Sequence, residues 1–201
     1  MDTLAQTAAA TPDWLVAEMP PGYKNRLEEI ERLTKDLQAM WRFGRLLWAT
    51  GPQLSDTVRD VFASLKLQVE TISSGDSTFH AARLDGQRRL LLFTSASQEI
   101  VERKSHDVAE VFRMLHELGD EHDRAVLIAN PHPLTPPAAR PEGIAPDALV
   151  MLKRLGVNVL SGPGVFQLWT LALQDPERAS RLVERLHEQD GGVFPVPATR
   201  A

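Results

Sequence analysis

Two short runs limit what this chain can fold into: "RLLLF", Arg89–Phe93, and "RAVLIAN", Arg124–Asn130. An extended strand points alternate side chains to opposite faces, so a continuously apolar strand needs cover on both sides. That requirement predicts a sheet layered between helices rather than a sandwich with one wet face. The flanking segments supply the rest. "STFHAARL" and "QRRLLLFT" surround Asp85-Gly86, a hairpin signal, and "SSGD" marks the turn before them. Upstream, Leu65, Leu67, Val69 and Thr71 share one side of an alternating stretch.

Helical patterns fill the intervals. Val58, Val61, Phe62 and Leu65 form one apolar face behind the break at Gly51-Pro52, with Ser55 a suitable N-cap. "KSHDVAEVFRMLHELGD" places Val108, Val111, Phe112, Leu115 and Leu118 inward. "APDALVMLKRLG" starts near Pro146 and stops at Gly156. "VNVLS" is a short strand, and two helices follow, the second opened by Asp175-Pro176. The tail "DGGVFPVPATRA" reads as irregular. The predicted order is long helix, helix, three strands, helix, strand, helix, strand, helix, helix: an α/β protein with a mixed sheet flanked by helices.

Ahead of this body lie two further parts. Residues 1–22 read as a flexible arm, with Trp14 and Leu15 inside it. Residues 23–48 read as one long charged helix in which Leu27, Ile30, Leu33 or Thr34, Leu37, Met40 or Trp41, and Leu47 recur close to heptad spacing. Such a stripe packs either on its own domain or on the same helix of a second copy. Leu27, Ile30, Leu37 and Trp41 are the expected interface residues of a homodimer. The core domain is expected over 49–190, and 191–201 as a tail.

Local segments resemble bacterial proteins of the PD-(D/E)XK nuclease superfamily. "LLWATGPQLSDTVRDVFASLKLQVE" resembles that family's opening helix and first strand. "RAVLIANPHPLTPPAAR" resembles its later strand and Pro-Pro-x-x-Arg loop, and "LGVNVLSGPGVFQLW" its closing strand and helix. The resemblance runs from about Leu46 to Asp190 and implies a restriction-endonuclease-like core. It also implies an Asp on the second strand and a carboxylate-x-Lys on the third, which together hold Mg²⁺ and activate water. Here the second strand offers Phe79 or His80. The third offers Leu92 with Thr94, or Phe93 with Ser95. Neither register binds a hard cation, so the expectation is a catalytically inactive relative acting as a protein-interaction or regulatory module without a cofactor.

The alternative is a Mg²⁺-dependent nuclease with relocated ligands, drawn from Asp76, Glu99 and Lys104, with Glu102, Asp56 or Asp60 as further oxygen donors. A third reading is DNA binding without cleavage. The formal net charge of -5 weighs against it. His116, Asp120 and His122 have the right chemistry for a transition metal, but their spacing matches no ligand signature. "SGPGVF", Ser161–Phe166, could hold an anion on helix N–H groups, and reads first as a turn and cap. Ser55, Ser95, His80 and Asp76 can be drawn as a hydrolase triad, but no G-x-S-x-G elbow supports it. The absence of cysteine excludes disulfides and thiolate chemistry. With no basic leader and no long apolar run, the expectation is a cytoplasmic protein with no membrane role, partnered by itself and by an unidentified protein.

Overall fold

The computed structural model describes residues 18–74 and 77–197. Trp14, Leu15 and Asp76 lie outside them. The chain divides between Arg42 and Phe43 into two units.

Helix α1, Tyr23–Phe43, dominates the described part of the first unit, and none of its residues is buried. On its surface Arg32 reaches Glu29 at 2.7 Å and Asp36 at 3.0 Å, the neighbour spacing of a helix face. The sequence suggests a helix running on to about residue 48. Instead α1 stops at Phe43, where glycine follows, and a tight 3-10 turn covers Gly44–Leu47. The turn drives Leu46 fully into the core of the second unit. Phe43 stacks on Trp169 with ring centroids 4.6 Å apart.

The second unit is built on a six-stranded sheet. Its elements are α2 (Gly51–Ser64), β1 (Gln68–Ser74), β2 (Ser77–Arg83), β3 (Arg89–Thr94), α3 (His106–Leu118), β4 (Asp123–Ala129), α4 (Pro146–Arg154), β5 (Asn158–Ser161), α5 (Gly162–Gln174), α6 (Pro176–Glu188) and β6 (Gly192–Val193). Strand order follows chain order. β1, β2 and β3 form an antiparallel meander, and β4, β5 and β6 add in parallel to β3. β6 corrects the expectation of an irregular tail. Gly191 and Gly192 take positive φ there, and such a pair hides a two-residue strand from any period-2 pattern.

Alternation along the strands makes two apolar layers. Leu90, Leu92, Val126, Ile128 and Leu160 face α2, α5 and α6. Leu91, Phe93, Ala125, Leu127 and Val159 face α3 and α4. The continuous apolar runs are therefore covered on both sides, as the pattern requires. One inward assignment fails: Phe112 is 50% exposed, and Met114 takes the fully buried place on α3. Ser55 is not an N-cap either. α2 begins at Gly51, with φ of +58°, and Pro52 occupies the first turn, so Ser55 lies inside the helix and is buried. Among the described residues no helix is long and apolar enough to cross a membrane.

Candidate functional site

The positions where the resemblance expects chemistry lie under α2. β2 and β3 pair with His80 opposite Leu92, and His80 shares its face with Ala82, Leu90 and Leu92. Phe79, Ala81, Leu91 and Phe93 point to the opposite face. The register left open by the sequence thus resolves to His80 with Leu92 and Thr94 on the α2 side. No carboxylate stands among them.

His80 is 2% exposed. Its Nε2 lies 2.8 Å from Ser55 Oγ on α2, and its Nδ1 lies 3.1 Å from Thr71 Oγ1 on β1. The imidazole is a polar bridge joining helix, first strand and second strand. Burial pushes its pKa below the ordinary histidine value. The Arg59 charge adds to that effect and Asp56 opposes it. A neutral ring has one N–H and one lone pair, and two hydroxyl partners occupy both. Ser55 and His80 do come together as they would in a hydrolase. A threonine hydroxyl holds the third position, however, and Ser55 is only 9% exposed, which closes the pair to substrate.

The end of β3 is equally committed to structure. Ser95 is fully buried. Its Oγ donates to Asp107 Oδ2 at 2.6 Å and accepts from Ser97 N at 3.1 Å, which fastens the strand exit to the first turn of α3. Glu99 and Lys104 are exposed in the connection that follows, and Asp76 is outside the described residues. That connection also holds the one carboxylate-x-lysine triple of the chain, Glu102–Arg103–Lys104. It sits on a turn, where alternation does not align side chains, and lines with Asp147 a broad surface depression of about 830 Å³.

The histidine-acid cluster disperses. His116, Asp120 and His122 are all exposed, and His122 O instead accepts a bond from His187 Nε2 at 2.8 Å. Asp123, nearly fully buried, pairs with Arg89 at 2.6 Å. Among the described residues no group of three His, Asp or Glu side chains could hold a metal ion. In "SGPGVF" the Ser161 hydroxyl caps Gly164 N at 3.0 Å, the turn-and-cap arrangement.

The arginine of the Pro-Pro-x-x-Arg loop, Arg140, lies beside Asn130 at the end of β4. Arg140 donates to Thr135 O at 2.7 Å, Asn130 Oδ1 at 2.6 Å, Pro133 O at 3.3 Å and Leu47 O. Asn130, fully buried, donates in turn to Ala49 O at 2.7 Å. The two side chains tie the proline-rich loop to the segment before α2. Burial lowers the Arg140 pKa from its usual value. The one sequence signal was the polar asparagine closing an apolar strand.

Comparison with protein-family models, curated proteins and solved structures finds no match. Fold and site together define a mixed α/β protein. Its corner under α2, between β2 and β3, is filled by a neutral hydrogen-bonded imidazole and aliphatic side chains.

Proposed function

We propose that this chain carries a restriction-endonuclease-like core without catalysis, and that it works as a protein-interaction or regulatory module paired with a second copy through α1. The observation that carries the reading is the bare stripe of that helix. Ile30 is 56% exposed, Leu37 66%, Met40 53% and Trp41 79%. Ile30, Leu33, Leu37 and Met40 follow alternating steps of three and four residues, the seam of a coiled coil, with Leu27 and Trp41 widening it. A solitary helix gains little from propensity, so a stripe of this size is stable when an equivalent stripe covers it. The filled corner around His80 supports the non-catalytic half of the reading.

Light scattering on the full chain tests the pairing. The expected mass is twice that of one chain, falling to one chain in Leu37→Glu/Met40→Glu. A wild-type monomer at micromolar concentration refutes it. A cleavage assay on single- and double-stranded DNA with Mg²⁺ or Mn²⁺ tests the other half. Cleavage lost in Asp76→Ala/Glu99→Ala would establish the relocated-ligand nuclease instead. Retention on DNA that falls steeply with salt, without cleavage, would favour a DNA-binding protein.

A further inference from the structure

The carboxyl ends of β4 and β5 diverge. From β4 the chain turns to α4 on one face of the sheet, and from β5 to α5 on the other. Adjacent parallel strands whose exits part in this way leave a crevice outside their carboxyl ends, the place where open α/β sheets receive ligands. Here a cavity of about 460 Å³ occupies it, within the range of small-molecule sites.

Its walls are mostly apolar: Pro131, Pro141, Ile144, Leu149, Val193 and Phe194 all contribute. The walls are also set in shape. A Cβ at Gly143 would collide with the Pro131 ring, and the Arg140–Asn130 tie fixes both ends of the loop. Two charged residues line it, Glu142, which is exposed, and Arg140, which is half-buried and makes no ion pair with it among the described residues. Arg140 lines the cavity, and all of its acceptors are carbonyl or amide oxygens. A guanidinium has five N–H donors and these bonds occupy four, so among the described residues one N–H has no acceptor and the charge no carboxylate bonded to it. The first turn of α5 begins at the same rim and adds the positive end of a helix dipole.

We infer that this crevice binds a small organic carboxylate, its apolar body against the proline and aliphatic walls and its anionic head toward Arg140 and the start of α5. An apolar cavity alone accepts any small hydrophobe. The guanidinium, bonded to no carboxylate among the described residues, makes the preference anionic, because a carboxylate there gains a charge-assisted hydrogen bond in a poorly hydrated place. Burial already disfavours the Arg140 charge, and an incoming anion relieves that penalty.

The test is calorimetric titration of the full chain with decanoate and, separately, with decan-1-ol, using wild type and Val193→Trp. Val193 is 57% exposed at the crevice, so the larger ring fills the mouth without disturbing the core. Saturable decanoate binding is expected, about tenfold or more tighter than decanol, and weakened at least about tenfold by Val193→Trp. Absence of saturable binding overturns the site. Equal affinity for acid and alcohol overturns the anionic assignment. Binding indifferent to Val193→Trp places the ligand elsewhere, on the α1 stripe for example, and refutes the crevice. A chain terminus already lodged in the crevice would also abolish decanoate binding, and counts against the proposal.

Discussion

Replacing His80 by leucine should expose how α2 is attached to the sheet. Leucine fills a similar space but leaves Ser55 Oγ without its partner in a site that is 9% exposed. Thr71 is exposed and water satisfies it. A buried hydroxyl stripped of its bond costs about 1–3 kcal/mol, part of which a serine inside a helix recovers by bonding the carbonyl four residues back. The expected loss for His80→Leu is about 1.5 kcal/mol. Ser55→Ala/His80→Leu should cost less than the sum of the single changes, because it removes the orphaned group as well. The pH dependence adds a second signature. The folded pKa of His80 lies below its unfolded value of 6.5, so the unfolded chain takes up the proton first as pH falls. The contribution of His80 to stability is therefore full above that value and is lost as pH drops from it toward the folded pKa. Urea unfolding at about pH 7.5 and about pH 5.5 measures both effects. The wild type should lose more stability between the two conditions than His80→Leu does. Equal losses would refute a buried neutral imidazole, and strict additivity in the double variant would refute the hydrogen bond.

Three further changes test the frame around the sites. Arg89→Leu strands the buried Asp123 carboxylate and should destabilise by about 3 kcal/mol in thermal or urea unfolding, with partial recovery in Arg89→Leu/Asp123→Leu. Arg140→Met releases the proline-rich loop from Asn130 and Leu47 O, costing about 2 kcal/mol and speeding limited proteolysis between Pro131 and Ala145. Gly162→Ala puts a methyl group against Leu46 O and within 2.7 Å of Asn130 Oδ1, which should cost about 2 kcal/mol and lower the melting temperature by about 4–8 °C.

The elements that could be read from the sequence were those whose cause is local. Unbroken apolar character in Arg89–Phe93 demanded cover on both faces, and Asp85 accepts from Gln87 N and Arg88 N as a hairpin turn requires. Asp175 likewise caps α6 through Arg178 N. Phe112 was misplaced because a helical stripe has a width, and periodicity does not say where its edge meets the sheet. β6 was missed because its pairing comes wholly from β5. The polar contacts were out of reach for the same reason at longer range: Arg140 and Leu47 are 93 residues apart, and Ser55 and His80 are 25. At the strand positions where the resemblance implies carboxylates, the sequence offers none in either register. Only the register of β2 on β3 identifies His80 as the residue in their place.

Because each strand of the sheet joins the edge left by the strand before it, a nascent chain can lengthen the sheet in the order of its synthesis. Its two faces do not mature together. The layer over Leu91 and Leu127 closes once α4 has emerged from the ribosome. Leu90, Leu92, Val126 and Ile128 have only α2 above them until α5 and α6 follow. A chain that has emerged only as far as Leu155 therefore presents a half-bare aliphatic sheet, the kind of transiently exposed surface that is prone to aggregate.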